Sequence, residues 1–115
     1  MKSRWIGVPL AALMTAGCGM FLDSAHADEA LAQRSGCMEC HVAPANAEEK
    51  SSGPTFHDIS TKYRGDASAR AALIQVVKKG GKGKWPESRG VPMPPYSPRL
   101  TDAEIQRLVD WVLRN

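Results

Sequence analysis

The apolar positions of this chain fall at helical intervals, and no segment shows the strict alternation of a half-buried strand. The strongest pattern lies at the C-terminal end. Ile105, Leu108, Val109 and Val112 occupy one face at steps of three and four, and Trp111 widens that stripe. Gln106, Arg107, Asp110 and Arg114 supply the polar remainder. Thr101-Asp102-Ala103-Glu104 precedes them and has the form of a capping box, which predicts where this last helix begins. Leu73, Ile74, Val76 and Val77 predict a helix over about Ala67 to Lys79, stopped by Gly80-Gly81, with Lys78 and Lys79 suited to its negative end. Phe56, Ile59 and Tyr63 share one face and predict a helix from Phe56 to Tyr63, between Gly53-Pro54 and Arg64-Gly65. A first short helix is predicted from about Glu29 through Arg34, breaking near Gly36. Residues 80–99 are dense in glycine and proline and predict an irregular segment, of a length that in a compact domain is usually functional.

The N-terminal region has a different character. Lys2 and Arg4 lead into an apolar stretch from Trp5 to Leu22, followed by Ala25-His26-Ala27. A positive start, an apolar middle and a small-residue cleavage site together read as a secretory signal peptide. Gly7, Pro9, Gly17 and Gly19 interrupt the stretch and argue against an uncleaved anchor. The expected organisation is therefore a leader over residues 1–27 and one small domain over 28–115, exported to the periplasm. Thr15-Ala16-Gly17-Cys18 partly resembles a lipoprotein cleavage site, with Thr15 where leucine is usual, so lipidation of Cys18 stays open as an alternative. Removing the leader from the 115-residue chain leaves 88 residues, and the loss of Lys2, Arg4 and Asp23 takes the formal net charge from +3 to +2. That charge is too mild to suggest nucleic acid. A domain so small often needs a staple or a cofactor to complete its core.

The candidate cofactor lies in Cys37-Met38-Glu39-Cys40-His41. C-x-x-C-H is the c-type haem attachment pattern: two thiols one turn apart can add to the two vinyl groups, and the next residue then sits under the iron. One C-x-x-C with one histidine falls short of a zinc set, and a redox dithiol would want a βαβ context. A disulfide, a dithiol and a zinc site remain as alternatives at this stage. A second iron ligand is expected downstream, because six-coordinate iron favours plain electron transfer over ligand chemistry. Met93, in Val91-Pro92-Met93-Pro94-Pro95, combines a soft thioether with a backbone that prolines restrict, while Met38 lies inside the motif. His57 is the rival ligand, and a methionine that only fills a gap is the plain alternative.

In order, Ser35-Gly36-Cys37-Met38-Glu39-Cys40-His41, Gly53-Pro54, Lys79-Gly80-Gly81-Lys82-Gly83-Lys84-Trp85, Pro92-Met93-Pro94-Pro95 and Trp111-Val112-Leu113 span nearly all of the expected mature chain. This ordered set resembles class I bacterial cytochromes c of the short c551/c552 type. The resemblance implies an all-α fold of about four short helices around one covalently bound haem c and its iron. It implies thioether bonds at Cys37 and Cys40, axial ligands His41 and Met93, a Pro54 carbonyl that accepts the proton on His41, and a Trp85 indole N–H on a haem propionate. Trp111 is expected to pack against the N-terminal helix. Val76 stands where the family often has a propionate-pairing arginine, which leaves Arg89 or Lys79 as expected substitutes; Tyr96 stands where the family often has asparagine.

The function these expectations describe is a soluble periplasmic carrier of single electrons, not an enzyme. Its partners would be transient redox proteins of periplasm or membrane: a terminal reductase or oxidase, or a quinol-oxidising complex. No nucleic acid and no small-molecule substrate is expected, and the carrier would be a monomer. A haem subunit or tethered domain of a larger oxidoreductase, and a ligand-binding haem protein with an open sixth site, are the alternatives.

Overall fold

The computed structural model describes residues 20–43 and 51–115. Residues 1–19 of the expected leader, including Cys18, lie outside them. The fold is all-α: α1 Met20–Arg34, α2 Met38–His41, α3 Phe56–Lys62, α4 Ala69–Lys79 and α5 Asp102–Leu113. With the single turn α2 counted, that is five helices among the described residues, where about four were expected. A short 3-10 turn, Pro86–Ser88, interrupts the irregular segment between α4 and α5.

α5 is central and packs against α1, α3 and α4. It begins as the sequence predicts. Thr101 accepts from the Glu104 N–H at 3.2 Å and Glu104 accepts from the Thr101 N–H at 2.9 Å, so the capping box closes reciprocally. Ile105, Leu108 and Val109 of its stripe are buried. A second capping box, Thr55 with Asp58, opens α3. Leu31 and Ala32 of α1 are fully buried with Leu108, and Trp111 packs against that cluster, as the resemblance implies.

Two helix starts differ from expectation, and α3 ends at Lys62 with Tyr63 as its cap. α1 starts nine residues before Glu29, because Ser24-Ala25-His26-Ala27 contains no helix breaker and alanine favours helix without packing; residues 24–27 are exposed. α4 starts two residues after Ala67, because the Asp66 carboxylate accepts from both the Ser68 N–H at 2.8 Å and the Ser68 hydroxyl at 2.7 Å. That local bond holds 66–68 in a turn. The same two bonds lower the Asp66 pKa.

Ion pairs fasten the helices around α5. Arg70 of α4 grips Asp110 of α5 with Nε at 2.6 Å and a terminal nitrogen at 3.0 Å. Asp28 of α1 is buried and meets Arg107 at 2.8 Å and Arg114 at 3.6 Å. Lys78 meets Asp102 at 3.0 Å.

The Arg70 guanidinium holds the Asp110 carboxyl below its ordinary pKa. A folded-state value lower than the unfolded one stabilises above the unfolded value and ceases to do so as pH falls through the folded one. Asp110→Asn is therefore expected to flatten part of the acid limb when unfolding of the holoprotein is measured against pH. An unchanged limb would show that the pair adds nothing in solution.

Candidate cofactor site

The attachment motif is positioned by the end of α1. Gly36, with φ of +81°, turns the chain, and the Cys37 N–H reaches back to the Ala32 carbonyl at 3.0 Å. The His41 N–H then bonds the Cys37 carbonyl at 3.1 Å, so Cys37, Cys40 and His41 lie on one turn. Both cysteines are partly buried, and no disulfide joins them.

His41 Nδ1 lies 2.6 Å from the Pro54 carbonyl oxygen. A carbonyl only accepts, so Nδ1 carries a hydrogen, and in the neutral ring Nε2 then keeps its lone pair. The loop bearing Pro54 is tied to the motif itself. The Gly53 N–H donates to the Cys40 carbonyl at 3.1 Å, and the Ser51 hydroxyl reaches the same oxygen. The imidazole also stacks on Phe56, with centroids 5.4 Å apart and planes at 23°. Phe56 in turn meets Trp111 edge-on at 5.0 Å, which links the ring of His41 to α5.

Met93 is held from both sides. Its N–H donates to the Gly81 carbonyl at 2.7 Å, and its carbonyl accepts from the Gly81 N–H at 3.1 Å, an isolated antiparallel bridge. Farther along, the Tyr96 N–H bonds the Val77 carbonyl at 3.0 Å. The bridge depends on Gly80. Its φ of +78° and ψ of 175° lie in a region used essentially by glycine alone. A Cβ there would come within 2.6 Å of the Met93 carbonyl oxygen.

Trp85 is half-buried; Tyr63 meets it edge-on at 6.4 Å, and the Lys62 ammonium lies 4.1 Å from its ring centroid. Lys79, Arg89 and His57 are exposed. Nothing local in the sequence links Lys62 to Trp85. Among the described residues no group of three or more His, Cys, Asp or Glu could hold a metal ion, so the zinc alternative finds no ligand set there.

Phe56, Ile59 and Leu108 are buried, while Leu73, Val77 and Trp111 are only half-buried. Ile74, Val76 and Met93 are also half-buried, and Val91 is 50% exposed. α4 and the Met93 loop thus present apolar side chains that the protein alone does not cover, the mark of a surface made for something else.

Residues 24–112 match the family model described as "Cytochrome C oxidase, cbb3-type, subunit III". The cytochrome c-551 of Allochromatium vinosum is 44% identical over 90 residues, covering 78% of this chain and 87% of that protein. The cytochrome c-552 of Hydrogenobacter thermophilus is 42% identical over 87 residues, covering 76% and 80%. The chain is a class I cytochrome c. Its fold agrees: the crystal structure of Nitrosomonas europaea cytochrome c552 superposes with a TM-score of 0.60 at 34% identity, covering 75% of this cytochrome and 96% of that chain. The Class 1 cytochrome MtoD of Sideroxydans lithotrophicus ES-1 also gives 0.60, at 31% identity over 84% and 97%.

The cytochrome carries covalently bound haem c with its iron. The residues present fit that group. Two thiols are free on one turn, an imidazole has one nitrogen engaged and the other available, and apolar side chains stand uncovered.

Gly80→Ala is expected to destabilise the holocytochrome by about 1–3 kcal/mol in guanidinium unfolding, from backbone strain and the contact with Met93. Gly65→Ala is the control, since its φ is also positive but a Cβ there meets nothing within 4 Å. Equal losses at the two positions would show that the Met93 contact carries no weight.

Proposed function

We propose that this cytochrome carries single electrons between redox partners, with thioether bonds at Cys37 and Cys40 and axial ligands His41 and Met93. The observation that carries the reading is the bond from His41 Nδ1 to the Pro54 carbonyl. It fixes the tautomer and the ring orientation and makes Nε2 the more basic, as outer partners of metal-bound histidines do. The bound haem supplies a one-electron iron couple. Pro54 and Phe56 keep the imidazole in place through both oxidation states, and the Gly81 bridge does the same for the Met93 backbone. A thioether ligand raises the potential relative to harder ligands. Apolar side chains of α4 exclude water, and Trp85 is assigned to a propionate.

The sequence relatives are matched over most of their own length and are named simply as cytochromes, which favours a self-standing carrier over a subunit or tethered domain. On this reading the cytochrome is a monomer and not an enzyme, and its partners are transient. It works in the periplasm after removal of the leader at Ala27. Packing supports that boundary, since residues 24–27 are exposed and Asp28 is buried. Lys79 at the end of α4 and Lys82 and Lys84 in the irregular segment are exposed and offer positive charge suited to an acidic partner. Lys78 is already paired with Asp102.

The deciding experiment uses the purified exported protein, whose N-terminal residue should be Asp28. Absorption spectra are expected to show low-spin haem with the weak red sulfur-to-iron band, which Met93→Ala should abolish. A high-spin wild type that takes up carbon monoxide would replace the carrier by a ligand-binding haem protein. Electron-transfer rates with an acidic partner should fall steeply with salt; a flat response would remove the lysine face from the account.

A further inference from the structure

We propose that Lys62 is the counter-ion of a haem propionate, held in position by the face of Trp85. The inference rests on the assignment of Trp85 to that propionate. An indole offers two unlike surfaces: its π-face attracts cations, and its N–H edge donates to an anion. The Lys62 ammonium occupies the face, 4.1 Å from the ring centroid, well within cation–π range. A carboxylate bonded to the N–H edge of the same ring would stand beside the face that the ammonium covers, and the flexible lysine stem would let the two charges meet. One side chain thus gathers both charges.

The support for this placement is rigid. Lys62 is the last residue of α3, whose start is fixed by the Thr55–Asp58 capping box. Tyr63 follows, its N–H bonded to the Ile59 carbonyl at 3.1 Å and its ring edge-on to Trp85. The ammonium also lies 5.9 Å from the Tyr63 centroid. Ion pairs among the described residues engage Arg70, Lys78, Arg107 and Arg114, and Lys62 takes part in none of them. Lys62 is exposed, as are Lys79 and Arg89, the two cations that the sequence suggested for this role, but of the three it is Lys62 whose ammonium stands over the tryptophan ring. Val76 supplies no charge from α4.

The physical role is charge compensation. A partly desolvated carboxylate needs a cation or hydrogen-bond donors. A positive charge beside the haem also favours the reduced iron, which carries one positive charge fewer. Removal of the ammonium therefore lowers the midpoint potential.

The test compares holocytochromes carrying Lys62→Met, Lys62→Arg and Trp85→Phe. Methionine keeps an apolar stem over the ring without charge, and arginine keeps the charge. Spectroelectrochemistry should find a lower potential in Lys62→Met, little change in Lys62→Arg, and a difference that shrinks as salt is raised. The propionate-bending band in the resonance Raman spectrum should shift in Lys62→Met. A changed potential with an unmoved band makes Lys62 a remote charge only and overturns the proposal. A response to Trp85→Phe without one to Lys62→Met overturns it too, while leaving Trp85 in place. Silence of the band in both variants removes the Trp85 assignment as well.

Discussion

Contact between α1 and α5 is the constraint from which the site is built. Leu31 and Ala32 are fully buried against Leu108, and the attachment motif begins only three residues after α1 ends. Wherever α1 is seated, Cys37 and His41 must follow. The far end of α5 contributes a second time through Trp111, which reaches the imidazole by way of Phe56. Asp28, buried between Arg107 and Arg114, closes the other end of the same seam. The interior so formed is small, as expected of a domain of this size, and the uncovered side chains of α4 leave the remainder of the core to the cofactor.

Local chemistry in the sequence was a good guide where the relevant bonds are themselves local. Both the Thr101–Glu104 box and the stop at Gly80 join residues within a turn or two of each other, and both appear where the pattern places them. The bond from Asp66 to Ser68 is equally local, but it competes with the helix it precedes, and apolar periodicity does not register that competition. α1 extended further than its apolar spacing indicated, because a run with alanines and no breaker can stay helical without being buried.

Contacts across sequence were legible only through resemblance. The bond between His41 and Pro54 spans 13 residues and follows from no periodicity. The meeting of Lys62 with Trp85 had no such guide, since it joins a helix end to an irregular loop. The close approach of Gly80 to Met93 is similar: glycine there reads as an ordinary helix stop, yet it also makes room for a second strand of chain. Residues that end one element and admit another carry two constraints, and sequence pattern displays only the first.

The Gly81–Met93 bridge has a consequence for the kinetics of the proposed ligand. Both backbone groups of Met93 are engaged on α4's side of the molecule, so release of its sulfur need not move the loop. Side-chain rotation is intrinsically a picosecond-to-nanosecond motion, far faster than an excursion of the backbone. A thioether that leaves the iron would still be tethered beside it at high effective concentration, and rebinding would outpace the arrival of most ligands from solution. Two hydrogen bonds between main-chain atoms would then act as a kinetic guard on the sixth position.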